Sequence, residues 1–320
     1  MRKSLIRSLL VIGISATTIS AFAQPAIPRK YVESPGVSVG MNFGLLDLWG
    51  DVGTQGVIDH YSNERYWTKP HFMGGIFMRF CAHPSLAFRI NLNYGTLYAT
   101  DEWNLTKAKD AKSIEDDAYQ RYLRNQDVRA NIWEGAVMFE LMPLRFNSES
   151  KMANKRMQPY IGAGAGYMHF RPQTSLIDPL TGRKKWVETK NLRLEGEGIE
   201  NSGAVATNLW QPTFPLTVGL RWNVGKQMNI GVEWQYRMTM TDRLDGVSSY
   251  YLTPDYYDRH LNPEDAAIAK QVYDKTWYIE PAHQVTYEDL RGNKDVKDGY
   301  STFSIQLIYR LESNKVPWWF

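Results

Sequence analysis

The side chains that could do chemistry in this sequence include a set of Arg and Glu residues that alternate with apolar neighbours. This charged set consists of Arg79, Arg89, Glu134, Glu140, Arg221, Glu233, Arg237 and Arg310. Because successive side chains of a strand point to opposite faces, the set lies on one face of several predicted strands. Such a face can pair its charges inside a narrow lumen, or it can be the solvated exterior of a soluble lipocalin-type barrel. We interpret it as a structural charge network that fills a lumen.

Three glycines, Gly162, Gly164 and Gly166, have the spacing of a nucleotide-binding loop. That fingerprint closes a strand and opens a helix, whereas these glycines lie within one predicted strand, on one face. We expect them to make room for bulky lumen side chains. The six His residues show no metal-ligand spacing, and no motif supports a Ser/His pair. The sequence therefore predicts no enzyme, no metal site and no cofactor.

Cys81 is the only cysteine, so a disulfide within the chain is excluded. The topology predicted below places it at the first periplasmic turn, together with His83 and Pro84. An odd cysteine in an exported protein indicates either an intermolecular disulfide or an unpaired thiol. We therefore expect either a crosslink from Cys81 to a periplasmic partner or a reduced residue at a strand end.

The elements that position these residues are eight segments in which apolar and polar residues alternate. Alternation is clear in residues 37–45, 88–94, 214–222, 228–238 and 303–311, and weaker in 70–80, 129–146 and 159–171. A period of two indicates a strand, and about ten residues is the length that a tilted strand needs to cross a bilayer. Two long connections have helical signals: 113–125 by composition, and Asn262-Pro263-Glu264-Asp265 as a helix start.

The connections fall into two classes. Those after the second, fourth and sixth segments are short, at 81–86, 147–158 and 225–227, whereas the others are long and polar. Short periplasmic turns, longer outer loops and an even strand number are typical of bacterial outer-membrane barrels. The sequence therefore predicts an all-β fold, an eight-stranded antiparallel transmembrane outer-membrane β-barrel with short periplasmic turns and long extracellular loops. The interior of such a barrel is filled by side chains, so we expect no channel.

The N-terminus has the order of a secretory signal peptide: a basic start, an apolar stretch from Leu9 to Ile19, and Ala21-Phe22-Ala23 before a cleavage site at Gln24. An uncleaved anchor is the alternative, but the apolar stretch is too short. We predict a signal peptide at 1–23, a periplasmic segment at 24–34, the barrel at 35–311 and a periplasmic aromatic tail at 312–320. The tail ends in Trp318, Trp319 and Phe320.

Charge and composition agree with this organisation. Removal of the three basic residues of the signal peptide leaves as many Lys and Arg as the 34 Asp and Glu. A nucleic-acid-binding protein would need a clustered basic excess. The sequence has 11 Trp and 19 Tyr, and such aromatics suit a barrel that is apolar only at every second residue. We predict an outer-membrane location with lipid as the surroundings and no nucleic-acid partner.

Five segments resemble a known family, the PorG-like outer-membrane barrels of the Bacteroidota type IX secretion system. They are Trp49-Gly50-Asp51, Pro159-Tyr160-Ile161-Gly162, Leu194-Glu195-Gly196-Glu197-Gly198, Asp242-x-Leu244-Asp245-x-Val247-Ser248-x-Tyr250, and Arg291-Gly292 through Asp298-Gly299-Tyr300. The resemblance spans most of the chain after residue 35. Its most specific part is the fourth segment with the later Arg-Gly pair.

The resemblance implies a structural component of the secretion machinery and not an enzyme. Proteins of this family associate with the periplasmic ring of the lipoprotein PorK and of PorN. The working surface would then be the periplasmic face, with Cys81, His83, Pro84, Lys226 and the tail residues Trp318, Trp319 and Phe320. The alternatives are a paralogue of unrelated role, a barrel that binds an outer ligand through its long loops, and an outer-membrane enzyme that acts on lipid.

The acidic residues Asp242 and Asp245 allow two interpretations. Oxygen ligands in this number could form a Ca²⁺ site. Alternatively, the two carboxylates pair with Arg243 or Arg291 and pin the loop, which is the interpretation that we favour.

Overall fold

The computed structural model describes residues 35–54, 60, 66–147, 150–178, 181–200, 202, 204–225, 227–282, 285 and 289–311. The predicted signal peptide, the segment 24–34, Lys226 and the tail with Trp318, Trp319 and Phe320 lie outside these residues. Nine strands occur in the described part of the chain: β1 (Gly36–Trp49), β2 (Phe72–His83), β3 (Leu86–Thr100), β4 (Asp127–Leu141), β5 (Met157–Ile177), β6 (Lys184–Glu188), β7 (Trp210–Asn223), β8 (Met228–Thr239) and β9 (Gly299–Arg310).

Eight of the strands form a closed antiparallel barrel, which confirms the predicted fold class. Each of these strands pairs with its neighbour along the chain, and β1 pairs with β9, so that the ring has no open edge. The eighth seam joins β5 directly to β7. The remaining strand, β6, was not predicted. It is a five-residue strand that pairs with the outer end of β5, at 173–177, and builds an arm above the barrel.

The long connections contain four short α-helices. They are α1 (Leu105–Lys109), α2 (Asp117–Arg124), α3 (Pro254–His260) and α4 (Pro263–Val272). Both predicted helical segments are confirmed, by α2 and by α4. The side chain of Asn262 caps α4 by accepting the N–H of Asp265 at 2.9 Å. None of the described helices is long and apolar enough to cross a membrane.

The outward-facing side chains of the barrel strands are apolar. On β4, Trp133 is 53 % and Phe139 68 % exposed, whereas Glu134 and Glu140 are each 1 % exposed. Similar outward side chains, which together form a surface that we call the apolar belt, include Met41, Phe43, Ile76, Ile90, Leu92, Met157, Ile161, Leu216, Val218, Ile230, Ile305 and Leu307. A continuous apolar surface of this extent is stable against lipid and costly in water. The barrel therefore spans a membrane.

Glycines on the inner face allow large side chains to cross the lumen. A Cβ added at Gly219 would lie 2.5 Å from the Tyr160 ring, and one at Gly40 would lie 2.3 Å from the Phe77 ring. The sequence predicts this role for Gly162, Gly164 and Gly166. A Cβ at these three glycines would instead lie 2.8, 2.1 and 2.6 Å from backbone carbonyl oxygens of β4, so the close approach of the neighbouring strand is the limit there.

We expect Gly219→Val to destabilise the barrel by about 1–3 kcal/mol, since the new side chain must displace Tyr160 in a filled lumen. Urea-induced unfolding in lipid vesicles, followed by tryptophan fluorescence, measures the change. Gly135→Val on β4 is the matched control, because a Cβ at Gly135 meets nothing within 4 Å. Equal unfolding midpoints for the two variants would show that the lumen has spare room.

Candidate functional site

The charged residues predicted for the lumen form a buried network at its inner half. Glu140 on β4 is the centre: its carboxylate lies 2.7 Å from Arg79 Nε, 3.1 Å from Arg89 Nη1 and 3.0 Å from Arg221 Nη2. Arg89 also reaches Glu233, with an Nη1–Oε2 distance of 2.9 Å. All five side chains are at most 3 % exposed. One carboxylate therefore holds three guanidinium groups that come from three different strands.

A second cluster lies closer to the outer mouth and is centred on Glu134. Arg237 Nε lies 2.6 Å from the Glu134 carboxylate, the Tyr300 hydroxyl donates to it at 2.5 Å, and Asn93 donates at 2.8 Å. The Arg237 guanidinium also lies 5.0 Å from the centre of the Tyr300 ring. The predicted charged set supplies both clusters, so paired side chains occupy the lumen at the level of Glu140 and again at the level of Glu134.

One member of the charged set, Arg310, differs from the expectation in its position. Arg310 lies half-buried at the inner end of β9, where it donates to the Pro35 carbonyl at 3.3 Å. It is thus at the rim of the barrel, and the described contacts of the two clusters do not involve it. Arg79, in contrast, is a full member of the Glu140 cluster.

The long loops fold into a cap over the outer mouth. One apolar core joins the outer ends of β1, β3 and β4 to the loops, and contains Leu46, Leu48, Leu97, Trp103, Leu244 and Val247. A second core joins α3 and α4 to the β6–β7 loop through Leu192, Leu194, Tyr257, Ala266, Ala269 and Val272. We call the described residues of these loops the cap. Its two cores make it a folded layer rather than a set of separate loops.

The motif residues of the family resemblance converge in this cap, with Glu195 at the centre. Its carboxylate accepts from Arg291 at 2.8 Å and from Arg243 at 3.3 Å. It also accepts the backbone N–H groups of Ser248 at 2.8 Å and Ser249 at 3.0 Å. Glu195 is 3 % exposed. A single buried carboxylate thereby ties the β6–β7 loop to two separate parts of the β8–β9 loop.

Asp245 joins the first loop to the last. Its Oδ2 accepts the N–H of Asp51 at 2.8 Å and of Val52 at 3.0 Å, and its Oδ1 accepts the N–H of Val247 at 2.9 Å. Asp298 accepts the N–H of Leu244 at 2.7 Å. A Cβ at Gly50 would lie 2.8 Å from an oxygen of each carboxyl group, so only a glycine fits between them.

The predicted ion pairs of the acidic cluster are wrong. Arg243 pairs with Glu195 and Glu197, and Arg291 pairs with Glu195. Asp245 instead binds backbone N–H groups, and Asp242 accepts from the Ser248 hydroxyl at 2.6 Å. No periodic pattern relates these loops to one another, so the partners of Asp242 and Asp245 do not follow from the sequence. The described residues contain no group of three or more His, Cys, Asp or Glu side chains placed to hold a metal ion.

The remaining motif residues take several positions in the cap. Leu244 and Val247 belong to the first apolar core. Gly196 has φ +79°, which favours glycine, and Gly292 packs closely against Asp51 and Val247. Tyr250 is 41 % exposed and forms a β-bridge with Leu290. Most of these motif residues therefore stabilise the fold of the cap, and Tyr250 is the one among them that is exposed.

Two further anchors of the cap were not predicted. Arg124, at the end of α2, lies 2.8 Å from Asp101 and donates to the Arg291 carbonyl at 2.7 Å. Lys275 Nζ is 4 % exposed and lies 2.6 Å from Asp127, at the outer end of β4. In sequence these residues look like ordinary charged loop residues, since nothing local distinguishes a buried Lys from a solvated one.

We expect the cap to be more stable in acid. Burial and the nearby Asp51 raise the pKa of Asp245 to about 7, and burial beside Asp245 raises the pKa of Asp298 well above its ordinary value. In the unfolded chain both groups ionise at about pH 4. The stability that their protonated forms contribute is therefore full below about pH 4 and is lost as the pH rises through about 7.

Hydrogen exchange at the amides of Leu244 and Val247, corrected for the intrinsic exchange rate, measures this trend. We expect Asp298→Asn to reduce the pH dependence to the part that Asp245 contributes, because an amide keeps the acceptor for Leu244 and does not ionise. Asp295→Asn, at an exposed position of the same loop, is the matched control. The same pH dependence in Asp298→Asn and in wild type would contradict the role of this pair.

At the inner end of the barrel, the residues that were predicted to bind a partner differ in how exposed they are. His83 is exposed and its Nδ1 lies 2.7 Å from the Ser85 hydroxyl; Pro84 is half-buried. Cys81 lies within β2 and not in the turn, because the strand continues to His83. Its side chain is 1 % exposed, with Sγ 3.3 Å from the His83 carbonyl oxygen. A disulfide to a partner would require this side chain to leave the lumen, so the burial of Cys81 argues against that expectation.

Comparison with known proteins found solved structures to which this chain is similar. No protein-family model matches the chain, and no curated protein matches it. Neisserial surface protein A has a TM-score of 0.36 at 7 % identity, over 87 % of this chain and all of that one. The attachment invasion locus protein Ail of Yersinia pestis, in complex with the heparin analogue sucrose octasulfate, has a TM-score of 0.35 at 8 % identity over the same shares. The strand pairing and the apolar belt carry the fold assignment: the chain is an eight-stranded outer-membrane β-barrel protein.

Proposed function

We propose that this protein is a structural component of the outer membrane that anchors the periplasmic ring of a type IX secretion machinery. In this proposal the chain is exported through a cleaved signal peptide and has no enzymatic activity. Its partners are a PorK-like lipoprotein and a PorN-like protein, which bind the periplasmic face. The barrel anchors these two proteins at the membrane.

The observation that carries the proposal is that the lumen is filled. The Glu140 and Glu134 clusters occupy it with paired side chains, and the cap covers its outer mouth. Barrels of eight strands have little interior space beyond their side chains. A filled and covered barrel is suited to a mechanical role and not to transport through its lumen.

The cap supports the resemblance on which the partner is based. Residues chosen from four separate sequence segments, among them Asp51, Glu195, Asp245 and Arg291, meet in one buried hydrogen-bonded network. A chance match would not be expected to select residues that contact one another. The motif therefore supports a family-specific cap, and with it the family's role.

Co-purification tests the proposal. An affinity tag inserted after Gly182, an exposed residue at the tip of the β5–β6 arm, leaves the periplasmic face unmodified. From detergent-solubilised native membranes we expect a ring lipoprotein to be recovered with the tagged protein. His83→Ala combined with Pro84→Ala should lower the recovery, whereas Lys109→Ala, in an outer loop, should not. Recovery of the barrel alone would overturn the proposal.

One observation favours a second candidate function, the binding of an outer ligand through the long loops. A cavity of about 880 Å³ lies in the cap and is lined by Trp49, His60, Arg121, Tyr251 and Arg291, among others. This volume is within the range of small-molecule sites. Normal protein export in a deletion strain, together with ligand binding by the purified protein, would favour this candidate over the ring anchor.

A further inference from the structure

In the inner turn between β4 and β5, the described residues 142–147 and 150–156 form a compact unit that we call the inner lobe. The side-chain amide of Gln158, which is 1 % exposed, donates to the carbonyl oxygens of Met152 at 2.9 Å, Ala153 at 3.2 Å and Lys155 at 3.0 Å. The two N–H groups of this amide are shared among the three carbonyl oxygens and hold them close together. Ala153 is fully buried beneath the barrel. The lobe therefore presents its outer side chains in fixed positions.

The lobe is also tied to the inner ends of two other strands. The N–H of Met142 donates to the Ser85 carbonyl at 2.8 Å, in the β2–β3 turn. The N–H of Asn223, at the end of β7, donates to the Arg156 carbonyl at 2.9 Å. Because the lobe is held on both sides, its height relative to the apolar belt is fixed by the barrel itself.

The exposed side chains of the lobe combine apolar and basic groups. Phe146 is 62 % and Met152 44 % exposed, and Lys151 and Lys155 are also exposed. Residues 143–157 contain four basic residues against the single acid Glu149. Lys155 comes two residues before Met157, which is 53 % exposed and belongs to the apolar belt. The basic and apolar side chains thus continue the belt at the level where the hydrocarbon ends.

We propose that the inner lobe binds the headgroups of anionic phospholipids in the inner leaflet of the outer membrane. Lys151 and Lys155 contact the lipid phosphates, and Phe146 and Met152 lie at the boundary between headgroup and acyl chain. Lys side chains keep their stems along apolar surface and place the ammonium group in the polar layer. Aromatic residues favour the same layer, and anionic headgroups attract nearby Lys and Arg.

Continuity with the apolar belt is the reason to choose lipid over a protein partner for this surface. The lobe begins directly after β4 and ends where β5 enters the belt at Met157. The inference goes beyond the proposed ring anchor, because it assigns the lobe to the membrane. Among the described residues of the inner face, the β2–β3 and β7–β8 turns then remain for a protein partner.

Native mass spectrometry of the full chain tests the lipid preference. In detergent with equal amounts of phosphatidylglycerol and phosphatidylcholine, wild type should retain phosphatidylglycerol preferentially. Lys151→Gln with Lys155→Gln should lower the ratio of the two retained lipids by about tenfold. Lys109→Gln with Lys112→Gln, at exposed positions of an outer loop, should leave it unchanged. An unchanged ratio in the lobe variant overturns the proposal.

A depth measurement checks the apolar part independently. A nitroxide label on Phe146→Cys, in a Cys81→Ser background, is reconstituted in vesicles of phosphatidylcholine and phosphatidylglycerol. We expect the label to be relaxed by oxygen more than by a water-soluble nickel chelate. A label on Val205→Cys, at a cap position that is 82 % exposed, should show the reverse. A label at position 146 that behaves like the one at 205 overturns the proposal.

Loss of a co-purifying protein without loss of phosphatidylglycerol in the variant with Lys151→Gln and Lys155→Gln would also overturn the proposal, because it would assign the lobe to that protein.

Discussion

Glu140→Ala is expected to lower the free energy of unfolding of the barrel by about 3–5 kcal/mol. The substitution leaves Arg79, Arg89 and Arg221 in the lumen without the carboxylate that all three share. A buried charge that has lost its partner is strongly destabilising, because neither water nor another ion compensates it. Urea titration in lipid vesicles, with the folded fraction read from the mobility of unheated samples on SDS gels, measures the change.

Two further variants separate this effect from general damage. Glu280→Ala removes an exposed carboxylate and should unfold like wild type, since exposed charges contribute little. Arg79→Met in the Glu140→Ala background should recover part of the loss, because it removes one of the uncompensated cations. If Glu140→Ala unfolds at the wild-type urea concentration, the lumen network is not the element that holds the barrel together.

Glu195→Ala is expected to open the cap while the barrel stays folded. It removes the acceptor for Arg291, Arg243 and the N–H groups of Ser248 and Ser249. The loss of a buried charged partner costs about 3 kcal/mol, which corresponds to a fall in local protection of about a hundredfold. Hydrogen exchange of the β8–β9 loop in reconstituted protein measures this fall, and the strands serve as the internal reference.

Glu200→Ala is the matched control for this prediction, because Glu200 is exposed and lies in the β6–β7 loop together with Glu195. It should leave exchange in the β8–β9 loop unchanged. Equal exchange in Glu195→Ala and in wild type would show that the two apolar cores hold the cap without the carboxylate. Faster exchange in the strands as well would show that cap and barrel unfold as one unit.

The sequence predicted the barrel because its signal is local. Each barrel strand has one face toward lipid and one toward the lumen, so its side chains alternate in character. Examples are Trp133, Glu134 and Gly135 on β4, and Ile230, Gly231 and Val232 on β8. The number of strands, the sides of the loops and most of the lumen charges follow from that alternation. The short strand β6 does not, because five residues of an arm in the cap carry no comparable pattern.

The contacts of the cap could not be predicted in the same way. Its residues are far apart in the chain, as with Asp51 and Asp245 or Asp127 and Lys275, and no period places one loop against another. The resemblance selected most of the residues that meet there, but the ion pairs inferred from it were wrong. The burial of Cys81 was not predicted, because the predicted second strand ends at residue 80 whereas β2 continues to His83.

Because the Glu140 and Glu134 clusters occupy the lumen, we do not expect the barrel to conduct ions. Single-channel recording of the wild-type protein in a planar bilayer, with the lumen variant Glu140→Ala as a second sample, measures this conductance. We expect no discrete current steps above the protein-free baseline for the wild-type protein. Stable, reproducible unit conductance from wild type, abolished by denaturation, would contradict this expectation.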